Sequence, residues 1–154
     1  AYWHDAPDAE TEIVIAYTGC LAPEALAAAE RLREAGKRTA VLAVTSADRL
    51  YAGWSAAALA RELGSKAATC HVETLLRPLS RDCALVTVID GYPATLGWLG
   101  SVRGHRCRAL GVEHFGQSGS LAEIYAHYGL DVNAILTAAE GMGGPPVRYR
   151  FLQK

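Results

Sequence analysis

Four short apolar runs punctuate the chain, and between them the apolar positions fall into helical spacing. Ile13-Val14-Ile15-Ala16-Tyr17 is continuous and rich in β-branched residues, which predicts a strand buried on both faces. Thr39–Val44, Ala84–Ile89 and Cys107–Val112 repeat the theme. Residues 22–35 open with Pro23 and Glu24, place Ala22, Leu26, Ala29 and Leu32 along one stripe, and stop at Gly36, as a helix should. Ala47-Asp48-Arg49-Leu50 begins a helical stretch behind the hydroxyls of Thr45 and Ser46, and the Ala- and Leu-rich residues 55–63 read as a helix that stops at Gly64.

The sharpest helix signal comes late. Ser120-Leu121-Ala122-Glu123 has capping-box spacing, in which Ser and Glu each satisfy an orphan backbone N–H. Leu121, Ile124, Tyr125 and Tyr128 then follow the i, i+3, i+4, i+7 rule, and Gly129 closes the helix. Asp131 caps a second helix with Val132, Ile135, Leu136 and Ala139 on one face. Strands alternating with helices imply crossover connections and a mostly parallel sheet covered on both faces. The expected fold class is three-layer α/β. Residues 1–142 are expected to form the domain, with Gly143-Gly144-Pro145-Pro146 ending the packed region and a basic, aromatic tail completing 143–154.

Composition narrows the function classes. The chain has 154 residues, enough for one domain, and 51% of them are hydrophobic and 20% charged. Its formal charge of −1 gives no field to draw nucleic acid or an acidic membrane surface. No apolar run approaches the roughly 20 residues a bilayer-spanning helix needs, and no signal-peptide pattern opens the chain. The start at Ala1-Tyr2-Trp3 without Met suggests a piece of something longer. Cys20, Cys70, Cys83 and Cys107 lack CxxC spacing and are expected to be reduced, mostly buried thiols of a cytoplasmic protein. Arg103, His105, Arg106 and Arg108 form a basic cluster, read as a solvated loop and not as an anion site.

Ligands of open parallel sheets bind beyond the carboxyl ends of the strands, so any chemistry is expected at those ends. Thr18-Gly19-Cys20 has a single Gly and neither a dinucleotide nor a Walker pattern; Cys20 reads as structural, with a nucleophilic thiol as the minor reading. Asp90-Gly91 reads as a turn, with no carboxylate or His in obvious partnership. His4, His71, His105, His114 and His127 lack the HxH or HxxxH spacing of two metal ligands on one element. No catalytic, cofactor-binding or metal residue is assigned.

The segment after the last strand resembles the transketolase family. Leu110-Gly111-Val112-Glu113-His114-Phe115-Gly116-Gln117-Ser118-Gly119-Ser120, the capped helix to Tyr128, and Gly129-Leu130-Asp131 match its closing pattern of LGV, FG, S, capped helix and GLD. Ala1-Tyr2-Trp3 resembles its entering strand, and Ile13 to Ala35 its strand, TG turn and Ala-rich helix. Gly97-Trp98-Leu99-Gly100-Ser101-Val102 is similar to its GGLGSAV helix, with Trp98 in place of a Gly. Residues 44–50 and 111–118 look closest to the homodimeric decarboxylating first component of pyruvate (2-oxoacid) dehydrogenase complexes, with transketolase proper as the neighbouring branch.

The resemblance implies a C-terminal domain with a five-stranded mixed sheet, its first strand antiparallel to the rest. It implies thiamine diphosphate and magnesium in the full-length parent, bound by preceding domains of the same polypeptide and not by this one. The parent is expected to be a homodimer with a lipoyl acyltransferase as a further partner, while this chain alone is expected to be inactive. His114, Gln117, Ser118 and Ser120 form the candidate docking or anion-contact loop. A free-standing α/β binding module and a Cys20 hydrolase are the rival readings.

Overall fold

The computed structural model describes residues 1–114, 116 and 118–142; the tail 143–154, including the expected boundary beyond residue 142, lies outside the described residues. Five strands form one sheet: β1 (Tyr2–Asp5), β2 (Ile13–Tyr17), β3 (Thr39–Ala43), β4 (Ala84–Val88) and β5 (Cys107–Leu110). Their spatial order is β1-β3-β2-β4-β5, with β1 antiparallel to β3 and every other pair parallel. The expected α/β class and mixed five-stranded sheet are both present.

Alternation along β2 explains the layering. Ile13, Ile15 and Tyr17 point into one core with α1 (Ala22–Glu34), α5 (Leu121–Tyr128) and α6 (Val132–Glu140). Val14 and Ala16 point into the other, which draws on α2 (Ala47–Glu62), α3 (His71–Leu76) and α4 (Ala94–Gly97). A period of two thus feeds two cores, and a strand buried on both faces must be apolar throughout.

The late helices follow the sequence reading closely. Ser120 N–H donates to Glu123 Oε2 at 2.8 Å, and Glu123 N–H donates back to Ser120 Oγ at 3.4 Å. Gly129 closes α5 at φ +65°, a left-handed conformation that only Gly adopts cheaply. Asp131 accepts from Ala134 N–H at 2.9 Å and starts α6. The stretch 47–63 differs from expectation, being one continuous helix α2. Ser46 holds the extended N-cap backbone of α2, yet its side chain makes no capping bond.

Two helical features were not anticipated as such. α3 escaped notice because its N-cap is Cys70, where capping rules look for Ser, Thr, Asp or Asn. Glu73 nevertheless accepts from Cys70 N–H at 3.3 Å, and it pairs with Arg61 of α2 at 2.8 Å. The stretch likened to a GGLGSAV helix is a single α-turn, α4, followed by a 3-10 turn over Trp98–Val102.

Candidate functional site

The topology picks out one place. β2 leads to β3 on one side, and the next crossover returns past β2 to β4 on the other. The carboxyl ends of β2 and β4 therefore flank the topological switch point, where open α/β sheets usually bind ligands. Gly19, at φ +59°, turns the chain there and sets Cys20 in the first 3-10 turn before α1. After β4, Asp90 lies opposite.

Cys20 supplies the partner that sequence spacing could not give Asp90. Its thiol donates to Asp90 Oδ2 at 3.5 Å, and Tyr125 Oη donates to Cys20 Sγ at 3.5 Å. Tyr125 itself is buried, and its hydroxyl is held protonated above the ordinary phenol range, first by the bond to Cys20 and then by burial. Tyr125 reaches the switch point from α5, and its ring is part of the core on that face. Tyr125 is thus buried beneath the switch point, while Cys20 and Asp90 are exposed at it. Sequence gave Tyr125 only a place in an apolar stripe; nothing in its spacing announces its hydroxyl's partner.

This set is poorly suited to nucleophilic catalysis. A reactive thiolate needs a positive neighbourhood, whereas Cys20 faces a carboxylate and a phenol. Cys20 is exposed, which corrects the expectation of mostly buried thiols; Cys83 is buried, and Cys70 and Cys107 are half-buried. All four are free. Burial pushes the Cys83 thiol up to about 12 and raises those of Cys70 and Cys107.

The candidate loop after β5 is exposed at His114, Ser118 and Ser120, and Gln117 lies outside the described residues. Ser120 serves α5 as its cap, and its Oγ also donates to Glu123 Oε2 at 2.8 Å. Among the described residues, no side-chain hydrogen bond ties His114 or Ser118 to Ser120. The loop's start is fixed by backbone: Val112 N–H donates to Gly91 O at 2.8 Å. Gly111 lies so close to that turn that a Cβ would come within 2.8 Å of Pro93 N, so only Gly fits.

The scattered histidines stay scattered. His71 Nε2 donates to Ala1 O at 2.8 Å, and His127 meets the Tyr128 ring edge-on at 4.9 Å. His105 corrects the solvated reading of the basic cluster, because it is only 6% exposed. Its Nδ1 bonds the Cys83 carbonyl at 3.2 Å, and burial lowers its pKa. Arg106 donates to Asp82 O at 3.1 Å and clips the same two segments together. Among the described residues no group of three His, Cys, Asp or Glu could hold a metal ion.

The mixed sheet, with β1 antiparallel at its edge and a switch point between β2 and β4, defines the class of the domain. The family described as transketolase-like TK C-terminal domain matches residues 1–131, and the chain belongs to it. A curated relative, Transketolase 10 of Craterostigma plantagineum, is 31% identical over 129 residues, which are 84% of this chain and 16% of that protein. The chain therefore spans about a sixth of that relative's length. Solved structures share the fold. Transketolase from Leishmania mexicana superposes with TM-score 0.61 at 17% identity, over 92% of this chain and 17% of that one. A structure titled "Split gene transketolase, inactive beta4 tetramer" gives 0.62 at 18%, over 86% and 39%. Transketolase from Campylobacter jejuni gives 0.59 at 19%, over 88% and 17%.

Proposed function

We propose that this domain is the C-terminal structural and assembly module of a thiamine diphosphate-dependent enzyme, and that it carries none of the chemistry itself. The observation that carries this reading is what lines the switch point: the carboxylate of Asp90 and the thiol of Cys20, both exposed, with the buried phenol of Tyr125 behind them. The carboxylate of Asp90 would repel a diphosphate. In this reading preceding domains of the parent supply the sites for cofactor and magnesium. The loop His114–Ser120 serves docking in this reading.

Within the family we favour the homodimeric first component of a 2-oxoacid dehydrogenase complex, which decarboxylates its substrate oxidatively and passes an acyl group to lipoamide. The motifs at 44–50 and 111–118 support it. A lipoyl acyltransferase would then be a partner, and the free thiols agree with a cytoplasmic setting. Among the described residues no helix is long and apolar enough to cross a membrane. The second reading is a transketolase parent, which moves ketol groups between sugar phosphates. The 31% identity to a named transketolase favours it.

Assay of the full-length parent with pyruvate plus a lipoyl acceptor, and separately with ketose phosphates, decides between the two. Calorimetry of the 154-residue chain with thiamine diphosphate and magnesium tests the assembly role. No saturable heat is expected, and micromolar binding would sink that role.

A further inference from the structure

The functional reading leaves one surface unexplained. Of the 16 residues of α2 only Leu50 and Ala57 are fully buried. The adjoining stripe carries Tyr51, Ser55 and Leu59, then Leu63 just past the helix end, at spacings of four. Tyr51, Leu59 and Leu63 are 47%, 55% and 80% exposed. Beside them Trp54 stacks on Trp98, with centroids 5.2 Å apart and planes 21° apart. Tyr51 meets Trp98 edge-on at 5.2 Å. Trp98 Nε1 donates to Thr95 O at 2.9 Å, which pins the indole in place. A rigid cluster of Tyr and Trp flanked by exposed Leu is the composition of an interface anchor.

Two observations choose its occupant. The patch is small: Trp54 and Trp98 are half-buried against the core and only Tyr51, Leu59 and Leu63 stand exposed, few against the roughly 20 residues a side of a stable interface between separate molecules. Such a contact fails against the entropy of association, yet it suffices for a covalently tethered neighbour at millimolar effective concentration. The second observation is where the chain enters. The amine of Ala1 lies 3.5 Å from Thr45 Oγ1, just before α2, and its carbonyl accepts from His71 at the start of α3. Tyr51 stands only about 6 Å along α2 from Ala47.

We propose that Tyr51, Trp54 and Trp98 dock an apolar surface of the polypeptide that precedes Ala1 in the full-length protein. The inference rests on the proposed function only for the existence of that preceding segment.

Hydroxyl-radical footprinting, read residue by residue in the full-length protein and in the 154-residue chain, tests it. Tyr51, Trp54 and Trp98 should oxidise at least fivefold more slowly in the full-length protein. Equal rates would overturn the proposal. So would protection already present in the isolated chain alongside a tight dimer by sedimentation, which would seat a second copy there. Tyr51→Ser, at an exposed position of α2, should restore much of the oxidation of Trp98 in the full-length protein; unchanged protection would also count against docking. A full-length protein inactive on both substrate classes would remove the functional reading while leaving the footprint to decide docking by itself.

Discussion

Tyr125 donates its hydroxyl to the sulfur of Cys20 at 3.5 Å, joining α5 to the turn after β2 across 105 positions of sequence. The ring does more for the fold than the bond does. Sulfur is a weak acceptor, so Tyr125→Phe should cost no more than about 1 kcal/mol. Tyr125→Ala leaves a cavity in the core and should cost roughly 3 kcal/mol or more. Chemical denaturation of both variants checks this ordering, and equal losses would contradict it.

Ser120 caps α5, so replacing it with Ala removes an acceptor worth about 1 kcal/mol. The melting temperature of the chain should fall by roughly 2–5 °C. In the full-length enzyme, cofactor affinity and turnover should stay within about threefold. A loop that touches substrate would show the opposite, with an unchanged melting curve and about a hundredfold less activity. The partner Glu123 adds a pH signature, because its bonds from Ser120 hold its carboxyl below the ordinary value of 4.5. Its contribution is present above that value and is lost as pH falls through the lower, folded one. The difference between the wild type and Ser120→Ala should therefore narrow as pH falls below 4.5.

The four sulfurs should report their surroundings. Alkylation of the native chain without reductant should mark Cys20 first, since it is exposed, and Cys83 last, since it is buried and its thiol sits at about 12. After denaturation the mass should show four modified sites. Two or fewer would reveal a disulfide.

His105 gives stability a slope near neutrality. Burial, ahead of the repulsion from Arg103, lowers its pKa below the ordinary 6.5. Below that value the unfolded chain takes a proton that the folded one refuses, so stability falls as pH drops. His105→Asn keeps a donor for the Cys83 carbonyl but cannot titrate. The wild type should lose melting temperature between roughly pH 7 and 5 more steeply than the variant. Parallel curves would show that His105 is protonated in the folded state as readily as in the unfolded.

Local chemistry was legible in the sequence. The continuous apolar run at Ile13–Tyr17 requires a doubly covered strand, and Ser120 with Glu123, Gly129 and Asp131 specify helix ends by short-range hydrogen bonds and φ sign. Such signals act within four or five residues, so each is present in the sequence around it. One local miss, α3, arose because Cys70 stands at a cap that sequence rules assign to oxygen.

Contacts between distant segments had no such signal. Spacing cannot bring Cys20 to Asp90, which lies 70 positions away, nor move His105 from a basic stretch into burial beneath the Cys83 carbonyl. Nor could it stack Trp54 on Trp98, since these rings come from different helical segments on one face of the sheet. Strand order β1-β3-β2-β4-β5 decided all three, because hydrogen bonding between strands sets which loops become neighbours. Helical and strand periods belong to the sequence; the Cys20–Asp90–Tyr125 set and the Tyr51–Trp54–Trp98 cluster exist only once the sheet has chosen its order.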